Sequence, residues 1–271
     1  MLPLLRHVTG LLAMAVICFS CKQVFEYSPN EVRLPAGYRN LNAAAIARIQ
    51  ALPAKDTVSF ILIGDSQRFY KELDDFVAHL NKTSGISFVT LAGDITDFGL
   101  QKEAIWVHDR LKRLQVPYVA VIGNHDMLAN GRLLYREMYG PEDFSFNWAG
   151  IRFMGINTNS NEVGYSGQIP NLPWLEQQLT GAGENISHRV VISHMPPFDE
   201  GFDRKLEQGF ARLLARQPGV RLSLHGHQHV SSRRQPYADG VEYITTASMN
   251  KRSYFLVNLF KGGYHVEERS F

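Results

Sequence analysis

Val58-Ser59-Phe60-Ile61-Leu62-Ile63 runs directly into Gly64-Asp65. The run has the length and the β-branched and aromatic content of a strand buried on both faces, and it is closed by a turn residue and an acid. The same punctuation recurs down the chain. Ile86-Ser87-Phe88-Val89-Thr90-Leu91-Ala92 is followed by Gly93-Asp94, and Tyr118-Val119-Ala120-Val121-Ile122 by Gly123-Asn124-His125-Asp126. Arg189-Val190-Val191-Ile192 leads to Ser193-His194, and Val220-Arg221-Leu222-Ser223-Leu224 to His225-Gly226-His227. Helical spacing fills the intervals: Phe69 to Asn81 places Leu73, Phe76, Val77 and Leu80 on one face, and Leu100 to Leu114 does the same with Ile105, Val107, Leu111 and Leu114. Leu172 to Leu179 and Phe202 to Arg216 are two further helical stretches. Strand-helix alternation predicts an α/β fold.

Outward from these runs the pattern varies. Phe144-Ser145-Phe146-Asn147-Trp148 and Ile151-Arg152-Phe153-Met154-Gly155-Ile156, joined by Ala149-Gly150, read as a hairpin. Val241 to Thr246, Tyr254 to Leu259 and Tyr264 to Glu268 read as closing strands. The expectation is two mixed sheets flanked by helices in one domain over 57–271, with no linker dividing it. Residues 21–56, which contain Pro29, Pro35 and Pro53 and one helical stretch around Asn42 to Ala51, read as a lead-in. Trp106 and Trp174 fit the apolar faces of amphipathic helices, so core packing is expected of both.

Composition narrows the function classes. The chain has 271 residues, 45% hydrophobic and 20% charged, enough apolar content for a large core. A formal charge of +2 lacks the basic excess that non-specific nucleic-acid binding needs, so no nucleic-acid partner is expected. Met1 to Ser20 reads as a targeting segment: Arg6 and His7 precede the apolar run Leu11 to Phe19. That run is short of the roughly 20 residues that span a bilayer. Ser20-Cys21 at its end resembles a bacterial lipobox, although Cys18 and Phe19 are poor lipobox residues. The expectation is an exported protein of the bacterial periplasm or cell envelope, lipid-anchored at Cys21. A plain cleaved signal peptide and an uncleaved anchor are the alternatives.

In open α/β sheets, ligand sites form beyond the carboxyl ends of the strands. Here those positions hold Asp65, Asp94, Asn124, His194, His227 and His229, all metal-ligand residue types. Taken singly, an acid at a strand end is usually a cap or turn residue, and a lone His is usually a hydrogen-bonded one. Six such residues at five strand ends make a specific signal. Oxygen and imidazole donors suit divalent Mn, Fe, Zn or Ni, and no Cys after position 21 remains for a thiolate site.

The order and spacing resemble the calcineurin-like metallophosphoesterase family, whose pattern is D-x-H, G-D-x-x-[DN], G-N-H-[DE], a lone His, then G-H-x-H. This chain reads Asp65-Ser66-Gln67, Gly93-Asp94-Ile95-Thr96-Asp97, Gly123-Asn124-His125-Asp126, His194 before Met195-Pro196-Pro197, and Gly226-His227-Gln228-His229. The resemblance implies a four-layer α-β-β-α sandwich and hydrolysis of small-molecule phosphoesters by hydroxide held between two divalent ions. It implies that Asp65 and His229 hold one ion, that Asn124, His194 and His227 hold the other, and that Asp94 bridges them. His125 matches the family's general acid, and Asp97 the carboxylate that would fix its tautomer. Gln67 stands where the family has His. An amide oxygen is a weaker, neutral donor, so the first site should bind metal less tightly and prefer a harder ion. The same departure is the one support for a rival reading: a non-catalytic binding or scaffold protein that keeps the fold. Phe98 occupies the position where Ser/Thr phosphatases of the family carry Arg, which argues against that activity. Asp126 is expected to orient local backbone or a His, His225 to pack or to support a ligand from behind, and Arg233-Arg234 to be solvated or to meet phosphate. Asp126 to Asp143 and Thr158 to Asn171 read as the substrate-choosing loops.

Overall fold

The structure is a computed structural model, which describes residues 28, 30–181, 183 and 185–271. The targeting segment Met1 to Ser20, the lipidation position Cys21 and the first part of the lead-in lie outside the described residues.

Strand β1 (Thr57–Ile63) shows why these runs are apolar on both faces. Phe60 and Leu62 enter the core between the two sheets, while Ile61 and Ile63 enter a second core under the outer helices. Side chains alternate across a strand, so a strand covered on both faces must be apolar throughout. β1 pairs in parallel with β2 (Phe88–Ala92), and β2 with β3 (Tyr118–Val121). On the other side it pairs antiparallel with β10 (Ser253–Phe260), which pairs antiparallel with β11 (Gly263–Ser270).

The second sheet has the order β4-β5-β6-β7-β9-β8. β4 (Phe144–Trp148) and β5 (Ile151–Gly155) form the predicted hairpin; Ala149 and Gly150 both have positive φ, as a turn matched to strand twist requires. β5, β6 (His188–Ile192), β7 (Val220–His225) and β9 (Glu242–Thr245) are parallel, and the three-residue β8 (Ser232–Arg234) closes the edge antiparallel.

Helices cover the outer faces. α2 (Tyr70–Leu80), α3 (Gln101–Leu111) and α4 (Gly131–Met138) pack on the first sheet through Phe76, Val107 and Leu134. α5 (Leu172–Thr180) and α6 (Arg204–Arg216) pack on the second through Leu175, Leu179, Phe210 and Leu214. Asn171 caps α5 by accepting from the Trp174 N–H, with Pro173 in the first turn, and Asp203 caps α6 at Lys205 N–H. The architecture is therefore α-β-β-α, with two mixed sheets. The sheets are joined by an aromatic cluster in which Phe60 and Phe88 stack at 5.1 Å and Phe153 meets both edge-on. Truncating one of these rings to Ala would cost about 3–5 kcal/mol.

The lead-in is part of this body. α1 (Leu41–Gln50) lies against edge strand β3, where the buried Asn42 amide accepts from Ala120 N–H and donates to Ala120 C=O. One side chain thus satisfies an unpaired strand-edge residue. Two expectations need correction. α4 lies inside the stretch 126–143 read as a loop, because Leu134, Tyr135 and Met138 give it a buried face only two turns long. Trp106 is 42% exposed and packs edge-on against Tyr70 at the surface of α3 rather than in the core.

Candidate metal centre

The carboxyl ends of β1, β2, β3, β6 and β7 converge, and the backbone ties them together. Asp65 N–H donates to Gly93 C=O, Gln67 N–H to Asp94 C=O, and Gly226 N–H to His194 C=O. The glycine of Gly93-Asp94 is required for close approach. It has φ of 82°, and a Cβ there would sit 2.6 Å from Nδ1 of His194. Four candidate ligands leave their strands in the left-handed region: Asp65 (φ 50°), Asp94 (52°), His227 (71°) and His229 (58°). Non-glycine residues take this conformation at a cost of about 1–3 kcal/mol each, and it clusters at functional sites.

The donor atoms face one another. His194 is fully buried, and its Nδ1–H donates to Ala92 C=O at 2.7 Å. That fixes the tautomer, so Nε2 carries a lone pair. Nε2 nevertheless points at acceptors: Oδ1 of Asn124 at 3.0 Å, Oδ1 of Asp94 at 3.3 Å and Nδ1 of His227 at 3.3 Å. Nδ1 of His227 also lies 3.0 Å from Oδ1 of Asn124. Nε2 of His229 lies 3.2 Å from Oδ1 of Asp65. The Gln67 amide nitrogen donates to Oδ2 of Asp94 at 3.3 Å, and Gln67 Oε1 is buried without a partner. Asp65, Asp94 and His194 each offer a ligand atom within 4.8 Å of the others.

Lone pairs crowded together in a buried place are repulsive unless a cation lies among them. The electrostatics record that demand. Burial alone would push His194 down, yet the Asp94 carboxylate and its hydrogen bond hold it up at about 10, while Asp94 in turn is held below its usual range by His194 and His125. His229 is raised by its bond to Asp65. A proton on His194 partly relieves the repulsion, and a divalent ion would do so more fully. The donor set, five hard or borderline groups around a shared carboxylate with an orphaned amide oxygen beside it, fits divalent metal.

His125 stands apart from this cluster. Its N–H donates to Oδ1 of Asp94, and its half-exposed ring turns Nδ1 to the main-chain carbonyl of Asp97 at 2.8 Å. This corrects the expected role of the Asp97 carboxylate, whose Oδ1 is 3.7 Å from the ring and is engaged by the Arg68 guanidinium instead. The carbonyl fixes the tautomer, leaving Nε2 as the ring's free position. Asp126 orients backbone as expected: it accepts from Gly123, Ile95 and Thr96 N–H groups and from the Thr96 hydroxyl. His225 is buried against Tyr243, its ring stacked at 6.0 Å and its pKa pushed down to about 3 by burial. Arg233 is tied to Glu242, and Arg234 lies over Phe198, so the pair is a structural one at the surface.

Asp199 escaped the sequence reading. Its Oδ1 lies 3.3 Å from Nε2 of His227, and it also accepts from Gln228 and from Gly201 N–H. Burial would raise it, but these bonds hold it well below the usual carboxylate range. It turns Nδ1 of His227 into the cluster as a lone pair. Its only sequence signal is an acid in the loop that follows His194.

An α-β-β-α sandwich whose strand ends gather a cage of candidate metal ligands defines a class of protein. The chain belongs to the calcineurin-like phosphoesterase family, whose profile matches residues 58–231. It is 27% identical over 179 residues to a probable glycerophosphodiester phosphodiesterase from Arcobacter nitrofigilis, covering 59% of this chain and 63% of that one. It is 26% identical over 209 residues to a 3′,5′-cyclic-nucleotide phosphodiesterase from Nostoc, covering 72% of this chain and 77% of that one. Among solved structures, a dimetal phosphatase from Danio rerio superposes with a TM-score of 0.64 at 16% identity, covering 79% of this chain and 96% of the other. The match thus spans a little under two thirds of the Arcobacter protein.

Proposed function

We propose that this protein is a metal-dependent phosphoric ester hydrolase acting on small-molecule phosphoesters through a dinuclear centre. The observation that carries the reading is the cage itself: Nε2 of His194 faces Oδ1 of Asn124, Oδ1 of Asp94 and Nδ1 of His227, all within 3.3 Å. Asp65, His229 and the Gln67 amide oxygen would hold one ion, Asn124, His194 and His227 the other, with Asp94 between. When bound, two divalent ions neutralise phosphate charge and supply a nucleophile at neutral pH. The protein's own groups do the rest. Ala92 C=O and Asp199 present two imidazoles in the ligating tautomer, and the Asp97 carbonyl aims His125 to protonate the leaving oxygen. A nucleophile so supplied would attack in line and invert the configuration at phosphorus. Both curated relatives are named as phosphodiesterases, which supports including diesters among the substrates tested.

The test is hydrolysis of p-nitrophenyl phosphate and bis(p-nitrophenyl) phosphate with manganese or zinc, before and after chelation. Turnover that disappears with chelator and returns with metal is expected. Full metal occupancy without turnover of any ester would instead favour the scaffold reading, whose support is Gln67. A fold neighbour titled as the anchor of the Plasmodium inner membrane complex, at a TM-score of 0.58 and 15% identity, shows the fold in a protein so described. The proposal includes export and lipid anchoring at Cys21, with 57–271 as the hydrolase domain. Incorporation of labelled palmitate into the wild-type chain but not into Cys21→Ala tests the anchor.

A further inference from the structure

Two large apolar side chains are left in solvent on the two loops that hold His125. Phe98 is 59% exposed and Leu128 is 37% exposed. Phe98 directly follows Asp97, whose carbonyl holds the His125 ring. Leu128 N–H donates to His125 C=O. The two loops abut, since a Cβ on Gly99 would lie 2.2 Å from the Leu128 carbonyl oxygen. The Phe98 loop is also rigid. One carboxylate oxygen of Glu103 accepts from the N–H groups of Asp97, Phe98 and Leu100, and the Thr96 hydroxyl accepts from Gly99 N–H. An exposed ring on a mobile loop means little, but one on a fixed loop beside a proton donor is a preorganised surface. Arg68, an exposed guanidinium, spends one arm on Asp97, the residue before Phe98.

We propose that Phe98 and Leu128 form the subsite for the alcohol side of the substrate, with Arg68 attracting the anionic phosphate at its edge. The site thereby selects esters of alcohols that present an apolar or aromatic face. This inference rests on the hydrolase reading, because that reading makes His125 the group that meets the leaving oxygen. A polar alcohol such as glycerol would gain nothing from the two side chains, whereas an aryl or nucleoside group would lie against them. Aromatic contact of this kind corresponds to roughly a three- to tenfold gain in affinity.

The test uses the manganese-loaded protein and two non-hydrolysable probes, phenylphosphonate and methylphosphonate, measured by calorimetry. The wild type should bind the phenyl compound about fivefold more tightly, and Phe98→Ala should bring that ratio to about one. Phe98→Leu should retain part of the preference. Metal content and melting temperature are read on each variant, and the Phe98→Leu variant keeps the test meaningful if Phe98→Ala fails to fold. Equal affinities in the wild type, or a ratio that survives in Phe98→Ala combined with Leu128→Ala, would overturn the subsite. A phenyl preference that depends on Phe98 in a protein hydrolysing no ester would sustain the subsite and overturn the hydrolase reading instead.

Discussion

Replacing Asp199 with Asn removes a charge but almost no volume, and the consequence should fall on one half of the proposed metal centre. The carboxylate lies 3.3 Å from Nε2 of His227 and anchors that ring from behind. Its own position is fixed by Gln228 and by Gly201 N–H. With Asn in place, the ring loses the negative charge that makes Nδ1 a better donor. The amide can also turn its NH2 toward the ring and favour the wrong tautomer. Loss of such an outer carboxylate weakens metal binding about 10–100-fold, or about 1.4–2.8 kcal/mol. The His227 ring faces Asn124 and His194, whereas His229 pairs with Asp65. Manganese titration of the chelator-stripped protein should therefore show one binding step shifted and the other unchanged. Melting in chelator should stay within a few degrees of wild type, since Asp199 has no core role. An isotherm with neither step moved would refute the reasoning, as would both steps moving together in a protein that still melts normally.

Three further outcomes follow from the geometry. Gln67→His should tighten the weaker metal step and broaden its metal preference, read by the same titration; identical occupancy and metal dependence would remove Gln67 from the ligand set. His125→Ala should retain both ions by elemental analysis but lose about 10²–10⁴-fold in rate, with esters of poor leaving groups affected most. Asp143 is held up at about 6 by burial, despite accepting from Asn157 N–H. The folded state then holds a proton that the unfolded chain releases near pH 4, so this group's stabilisation is complete below about pH 4 and is lost as pH rises through about 6. Denaturant midpoints of wild type against Asp143→Asn between pH 4 and pH 7 should diverge by up to about 3 kcal/mol, and parallel curves would contradict the shift.

The strands, and the candidate ligand types at their ends, were legible because they are local. β1 must be apolar on both faces, and a strand that ends in Gly-Asp reveals both its boundary and its chemistry in eight residues. What could not be read depends on side chains meeting across the fold. The Asp97 carboxylate follows the pattern of a His-orienting acid, yet here the backbone carbonyl of the same residue takes that role and Arg68 takes the carboxylate. No spacing rule links Asp199 to His227, because their contact depends on where two loops land. α4 was hidden by its length, since eight residues give too few turns to stand out from a polar loop.

The left-handed backbone at four candidate ligands explains why the cage is built at strand ends at all. A strand presents side chains up and down, perpendicular to its direction, so no regular strand residue can turn its donor along the axis into the space beyond the sheet. A positive φ at Asp65 and Asp94 reverses the chain within one residue and lets the backbone continue while the carboxylate stays behind. His227 and His229 do the same on the opposite sheet, and the glycines before Asp65, Asp94 and His227 leave room for the neighbouring strand ends. The conformational cost, about 1–3 kcal/mol at each of four positions, is opposed by the two large cores on either side of the first sheet and the third beneath α5 and α6. Bound metal would add to that opposition. It follows that the metal-free protein carries both the strain and the crowded lone pairs, and that the strand ends, rather than the sheets, are where its stability should respond most to added divalent ions.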